Sequence, residues 1–184
     1  MSDHLKDLRR VMVVGGSGAG KSTFAAALAA RLGVPAVHMD TLFWRPGWVE
    51  APEEEFLASV QAAAAGDAWV MDGNYSRTWP GRLGRADAVV FLDMPTWLRF
   101  WRAVRRTMKN YGKTRADLGT DCPERLDLGF LFGWVVRYRW QGRHKALGLM
   151  ADDGPAAGLR RFHLTSPRQV RRFLDGDADI GSGP

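Results

Sequence analysis

Val11-Met12-Val13-Val14-Gly15-Gly16-Ser17-Gly18-Ala19-Gly20-Lys21-Ser22 is a short β-prone apolar run that breaks into glycine and ends on Lys-Ser. Residues 15–22 fit the pattern Gly-x-x-x-x-Gly-Lys-Ser/Thr. Thr23-Phe24 and an alanine-rich segment follow, with Phe24, Leu28 and Leu32 on one helical face before Gly33 ends it. In a strand, glycine loop, helix context, backbone N–H groups of the loop and the helix N-terminus converge on phosphate. Lys21 is then placed to reach the β- and γ-phosphates and the Ser22 hydroxyl to ligate Mg²⁺. The expected cofactors are ATP and Mg²⁺, with Gly15, Gly16, Ser17, Gly18, Ala19, Gly20, Lys21, Ser22 and Thr23 forming the nucleotide-binding loop.

The chain has 184 residues, enough for one domain with a substantial core, here expected over residues 1–174. A composition of 46% hydrophobic and 25% charged residues is that of an ordinary soluble protein. No apolar run approaches the ~20 residues of a membrane span, and the N-terminus has no signal-peptide core, so a cytoplasmic location is expected. Cys122 is the sole cysteine, which excludes an internal disulfide and a cysteine-built zinc site. A net charge of +6 is modest, but Arg99, Arg102, Arg105, Arg106, Lys109, Lys113 and Arg115 cluster, and Arg137, Arg139, Arg143 and Lys145 follow. Such clusters suit a polyphosphate substrate or a nucleic-acid backbone.

Outward from the loop, strand and helix signals alternate, which predicts an α/β fold with a doubly wound parallel sheet. Strands are expected near 9–14, 35–39, 68–71, 88–92 and 161–165, with helices over 53–65 and 96–109. Ser166-Pro167-Arg168-Gln169 reads as a capping box with proline at the first helical position. The Gly/Asp-rich stretch 175–184 reads as a disordered tail, and 109–145 as a lid or insert. Ligands of such sheets sit beyond the carboxyl ends of the strands, where chain order places the loop, Asp40, Asp72 and Ser166.

Asp72 ends a strand and begins Asp-Gly-Asn-Tyr-Ser-Arg; it reads as a magnesium carboxylate or as a turn cap. Asp40 is a base toward a substrate hydroxyl, a metal ligand, or an N-cap. Asp93 reads as structural, and His38 as a satisfied core histidine. Along 96–109, Trp97, Phe100, Trp101, Val104 and Met108 form an apolar stripe, expected to be core rather than a base-stacking platform. Arg99, Arg102, Arg106 and Lys109 take the opposite side, and no acid lies between Asp93 and Asp117 to neutralise them. Something anionic is expected to meet that face. Arg115, Arg137, Arg139 and Arg143 are candidate fingers for the charge of a transferring phosphoryl group. Trp44 and Trp48 wall an acceptor pocket or plug the helix that follows.

These residues resemble the adenylate-kinase-related phosphate-loop kinases, especially a bacterial branch of DNA topology modulation proteins. The likeness runs from Val11 to about Leu174, through His38-Met39-Asp40, Trp44-Arg45-Pro46-Gly47-Trp48, Trp69-Val70-Met71-Asp72-Gly73-Asn74-Tyr75, Arg82 to Asp87, Cys122-Pro123-Glu124 and Phe130 to Trp134. The resemblance implies a P-loop NTPase fold with strand order 2-3-1-4-5 and Mg²⁺-ATP as donor. It implies that Asp72 is the water-mediated magnesium residue and that Arg77 or Arg82 meets an acceptor phosphate. It further places Arg102 and Arg106 at a lid hinge and Ser166 in the loop against the donor base. Asp40, Trp44, Trp48, Asp72, Asn74, Tyr75, Arg77 and Arg82 are the acceptor-side candidates. The threonine-and-arginine acceptor site of adenylate kinase is replaced by Trp44 and Trp48, so an AMP acceptor is not implied.

The function expected is a small-molecule kinase, monomeric or homodimeric, that moves the ATP γ-phosphoryl group to a nucleotide- or nucleoside-like acceptor. Lys21, Asp40, Arg102, Arg106, Arg115, Arg137 and Arg143 are its candidate catalytic residues. The alternatives are a nucleotide-dependent nucleic-acid-binding regulator and a bare NTPase.

Overall fold

Strand β1 (Arg10–Gly15) runs up the middle of the molecule with Val11 to Gly15 all buried, and the glycine loop leaves directly from its end. The computed structural model describes residues 5, 7–112, 121–123, 133 and 138–176. Around β1 lie β2 (Ala36–His38), β5 (Trp69–Asp72), β6 (Ala88–Leu92) and β7 (Arg160–Leu164), all parallel, in the order β2-β5-β1-β6-β7. The strands β3 (Trp44–Arg45) and β4 (Val49–Glu50) form a separate antiparallel hairpin. Leaving the hairpin out of the count, the sheet order is the expected 2-3-1-4-5.

The central strands are apolar throughout because both faces are covered. Val11 and Val13 point to the layer holding Phe24 and Leu28 of α1 (Lys21–Leu32) and Phe173 of the last helix. Met12 and Val14 point to the layer holding Phe56 and Val60 of α3 (Glu53–Ala64). Each such side chain, fully buried, contributes about 1.5–3 kcal/mol. Register pairs Asp72 with both Val13 and His38, so three strand ends reach one edge of the sheet together.

Several expectations shift. Asp40 is not at a strand end but in the first turn of α2 (Met39–Phe43), because β2 stops at His38 and the chain turns at once. Trp44 to Trp48 form the hairpin, whose turn holds Gly47 and Trp48 at φ +78° and +63°. A 3₁₀ turn at Ser76–Thr78 and α4 (Trp79–Leu83) precede β6. Residues 142–145, expected within the lid, begin a further helix, α6 (Gly142–Met150), after α5 (Thr96–Asn110). It packs on β1 and β6 through Ala146, Leu149 and Met150; its two glycines hid it in the sequence. Helix α7 (Pro167–Asp175) has Ser166 as its N-cap, accepting from the Gln169 N–H at 3.3 Å. It extends one residue past the boundary expected at 174, and Gly176 closes it at φ +86°. Residues 177–184 of the expected tail and 113–120 of the expected lid, with Arg115, lie outside the described residues, as do Glu124, Arg137 and most of the stretch Phe130 to Trp134.

Candidate active site

The loop between β1 and α1 is shaped by what packs on its outer side. A Cβ on Gly18, at φ +78°, would strike the backbone carbonyl of Arg99, and one on Gly16 would strike the Arg99 guanidinium. Helix α5 therefore lies against the loop, and glycine serves that contact as well as any phosphate approach. The helix does so with the face opposite to the one its pattern predicts. Arg99, Ala103 and Thr107 are buried, while Trp97 and Met108 are 71% and 72% exposed. Trp97, Trp101 and Met108 of the apolar stripe are thus not core, while Phe100 and Val104 are partly buried against Ala103. The basic face meets the polar backbone of the loop, where the Arg102 guanidinium finds a carbonyl to donate to.

Each arginine of that face has a place. Arg99 donates through Nε to the Met94 carbonyl at 3.2 Å and through Nη2 to Thr96 Oγ1 at 3.4 Å. Its guanidinium lies 4.9 Å from the centroid of the Tyr138 ring, and its buried Nη1 has no hydrogen-bond partner. Arg102 donates to the Ala19 carbonyl inside the loop at 3.3 Å. Lys21 donates to the Gly16 carbonyl at 3.3 Å. Burial lowers the Lys21 pKa; Asp72 and Asp40 oppose that fall, and Arg106 and Arg99 add to it. Lys21 thus sits among two carboxylates and two guanidinium groups.

At the edge of the sheet, Ser22 Oγ donates to Asp72 Oδ2 at 3.0 Å, and His38 Nδ1 lies 2.5 Å from Asp72 Oδ1. His38 is therefore a neighbour of the site rather than the core residue expected. The hydroxyl and carboxylate are hard oxygen donors side by side, a pair that fits Mg²⁺, which takes few protein ligands and completes its shell with phosphate and water.

On the far side of Asp72 the chain turns through Gly73 and Asn74. Asn74 accepts from the Gly15 N–H at 2.9 Å and donates to the Gly15 carbonyl at 2.8 Å, closing a two-bond clamp on the start of the loop. Arg82, expected to meet an acceptor phosphate, is instead wholly buried. It donates to the carbonyls of Gly73 and Asn74 at 3.0 and 3.1 Å, so it props the turn from beneath. Arg77, the other candidate for that task, pairs with Glu53 at 2.9 Å. Tyr75 Oη donates to Asp40 Oδ1 at 2.6 Å. The rings continue through Phe43, 5.0 Å from Tyr75, to Trp44 and then to Trp48, 5.3 Å away. Trp44 packs on the core layer that holds Phe56 and Val60 of α3, as the plug reading expected, and Trp48 Nε1 donates to the Pro123 carbonyl at 2.9 Å.

Arg143, a finger candidate, is held by Asp93 at the end of β6: Nε donates to Oδ1 and Oδ2 at 2.9 and 3.0 Å, and Nη2 to Oδ2 at 2.9 Å. His163 Nε2 joins Asp93 at 3.1 Å. Asp93, Pro95, Trp97, Arg99, Arg139, Arg143 and Thr165 line a cleft of about 610 Å³ that shares Arg99 with the loop. Ser166 follows Thr165 at its rim and spends its hydroxyl on the α7 cap. Sequence reasoning put Arg99 on a face expected to meet an anion but gave Asp93 and His38 no part in a site. The absence of acids from 94 to 116 was the available signal for Arg99; the others depend on strand ends brought together from distant parts of the chain.

No family model matches the sequence, and no curated protein matches it. Solved structures do. The chain is similar to the shikimate kinase of Acinetobacter baumannii in complex with shikimate, at 16% identity and a TM-score of 0.56, over 95% of this chain and 96% of that one. It is also similar to a sugar kinase from Janibacter sp. HTCC2649, at 17% identity and a TM-score of 0.52, over 95% and 96%. A shikimate kinase from Aquifex aeolicus vf5 matches at 14% identity and a TM-score of 0.51, over 94% and 99%. At these identities the likeness establishes the fold alone, an α/β fold around a five-stranded parallel sheet.

Proposed function

We propose that the chain is a Mg²⁺-dependent kinase that transfers the γ-phosphoryl group of ATP to a small hydroxyl-bearing acceptor. The observation that carries this reading is the meeting, at one sheet edge, of Lys21, the Ser22–Asp72 pair and Asp40 under the arginine face of α5. The donor phosphates lie in the loop on its backbone N–H groups and Lys21. The donor nucleoside extends toward the cleft at Arg99 and Thr165. Ser22 and Asp72 would hold Mg²⁺, which would supply neutralisation of the donor's phosphate charge. Asp40 takes the proton of the acceptor hydroxyl; the hydroxyl oxygen bonds to the γ-phosphorus, and the bond to the β–γ bridging oxygen breaks to release ADP. Arg102 and Arg106 lie beside Lys21 and the loop, placed to stabilise the charge that moves onto that bridging oxygen. Arg143, held by Asp93, borders the donor cleft rather than the transferring group.

The test is ADP release with Mg²⁺-ATP against nucleosides, nucleotides, sugars and small hydroxy acids, with Lys21→Ala as control. Expected is acceptor-dependent ADP release with a phosphorylated product, reduced at least about a hundredfold in Lys21→Ala. Hydrolysis that no acceptor accelerates makes the chain a bare NTPase instead. One observation favours a second reading: Trp97 and Trp101 are exposed one turn apart, with the Arg105 guanidinium 5.4 Å from the Trp101 ring. Exposed aromatics among cations are a stacking surface for single-stranded nucleic acid. That reading requires binding that weakens steeply with salt and is lost in Trp97→Ala/Trp101→Ala.

A further inference from the structure

The chain leaving the end of β5 touches three separate parts of the candidate site in quick succession. Asp72 meets Ser22 of α1, Asn74 meets Gly15 at the start of the phosphate loop, and Tyr75 meets Asp40. The Asn74 contact has a particular form. The parallel ladder between β5 and β1 runs through the Val13–Asp72 pair, and the Gly73 N–H donates to the Val13 carbonyl at 3.1 Å. Continued by backbone alone, the next bond would run from the Gly15 N–H to the Gly73 carbonyl. That carbonyl instead accepts from the buried Arg82 Nη1 at 3.0 Å, and the Gly15 N–H donates to Asn74 Oδ1 at 2.9 Å. Asn74 Nδ2 returns a bond to the Gly15 carbonyl at 2.8 Å, while the Asn74 carbonyl accepts from Arg82 Nη2 and Trp79 Nε1. A side-chain amide, offering an acceptor and a donor as a peptide group does, thus stands in for a rung of the sheet. Gly15 is confined from the β6 side as well: a Cβ there, at φ +153°, would lie 2.6 Å from the Leu92 carbonyl oxygen.

We propose that Asn74 is a positioning residue for the phosphate donor. Its side chain locks the first residue of the phosphate loop to the turn that carries Asp72 and Tyr75, so that the loop keeps a fixed register to Asp72 and Asp40. The proposal rests on the nucleotide-binding part of the kinase reading above and deepens it. A loop that must be ordered on binding costs affinity, and one ordered beforehand does not. The Gly15 N–H is spent on Asn74, so the N–H groups that receive phosphate begin at Gly16. Asn74 therefore acts through the loop, and the same turn gives Asp40 its place through the Tyr75 hydroxyl at 2.6 Å.

The test uses the full chain with Mg²⁺-ADP as the probe. Calorimetric Kd values, taken well below the unfolding transition, are compared for the unaltered chain, Asn74→Ala and Val60→Ala. The last removes core packing in α3, away from the loop. Val60→Ala is expected to lower the unfolding midpoint with Kd within about twofold. Asn74→Ala is expected to raise Kd at least about tenfold, through loss of the two hydrogen bonds that order the loop. A lowered midpoint with Kd within about twofold in Asn74→Ala makes Asn74 a merely structural residue; it overturns the proposal and leaves the kinase standing. Amide exchange by NMR on the unaltered chain decides the same point even where Asn74→Ala does not fold. The Gly15 N–H and the Asn74 side-chain amide are expected to stay protected both with and without Mg²⁺-ADP. Release of the Asn74 amide when Mg²⁺-ADP binds would pass the Gly15 N–H to the phosphates and overturn the proposal. An unaltered chain that binds no Mg²⁺-ADP overturns the nucleotide reading, and the proposal with it.

Discussion

Helices α1 and α5 both show an apolar face in the sequence; α1 buries most of its face, and α5 leaves most of its own outside. Phe24, Ala25, Leu28 and Ala29 of α1 enter the core against the sheet. In α5 the stripe is far stronger, yet Trp97, Trp101 and Met108 face outward and Arg99, Ala103 and Thr107 face in. The difference lies in the surface each helix meets. Helix α1 covers the apolar side chains of β1 and β5, whereas α5 covers the glycine loop, a surface of bare backbone on which a guanidinium finds a carbonyl to donate to and a bulky apolar side chain finds little apolar surface. Periodicity identifies the two faces of a helix; the partner surface decides which is inside.

The largest test of this contrast uses two glycines with similar backbone. Gly18 has φ +78° and faces the Arg99 carbonyl, whereas Gly33, the cap of α1, has φ +66° and open space around it. Gly33→Ala is expected to cost about 1 kcal/mol, the conformational penalty alone. Gly18→Ala adds displacement of α5, and is expected to cost about 3 kcal/mol by urea unfolding. Equal costs would mean that α5 does not rest on the loop. Next in size is Ala103→Leu, on the buried face of α5. Overpacking there is expected to cost about 2 kcal/mol and to weaken ATP binding, because the helix must lift from the loop.

The strand, loop and helix around Lys21 were legible because they are local: a run of valines, glycines at fixed spacing, and a repeat of apolar residues in α1. The sheet order was legible through the resemblance, and the ends of β5 and β6 through Asp72 and Asp93 after apolar runs. What stayed hidden depends on contacts across the chain. Arg82 lies in a short helix with nothing to mark it as buried, and only the carbonyls of Gly73 and Asn74 explain it. Asn74 looked like a substrate ligand, since no spacing reveals that its amide pairs with Gly15, fifty-nine residues away. Helix α2 is too short for a periodic signal, so Asp40 was read as the end of the second strand.

A smaller effect concerns the frame that holds the start of α5. Asp93 is held below the usual carboxylate range: burial raises its pKa, and the hydrogen bonds of His163 and Arg143 together with the Arg143 charge outweigh that rise. Asp87 is lowered in the same way, with burial opposed by the backbone N–H groups of Arg9 and Arg10 and the Arg10 side chain. A depressed folded pKa stabilises above the unfolded value of about 3.9, and that stability is lost as pH falls through the folded value. Unfolding free energy is therefore expected to be level for these two groups above about pH 5 and to decline below about pH 4. Asp93→Asn should flatten part of that decline and cost about 1 kcal/mol at pH 7, since the Arg143 side chain is 44% exposed and solvent screens the pair.

The smallest expected effect bears hardest on the comparison. If the outward stripe of α5 were core, Trp101→Gln would remove a packed indole and cost about 3–5 kcal/mol, as for a buried tryptophan. At 56% exposure, with Arg105 laid over the ring, it is expected to cost less than about 0.5 kcal/mol in the isolated chain. Tryptophan emission should report a solvent-exposed indole lost, with the unfolding midpoint unmoved. Trp97→Gln, on the same stripe and more exposed, should behave alike, and the double variant should be additive because neither ring supports the sheet. Protection of both rings from an aqueous quencher would assign the stripe to an interior and return α5 to the orientation its sequence pattern predicts.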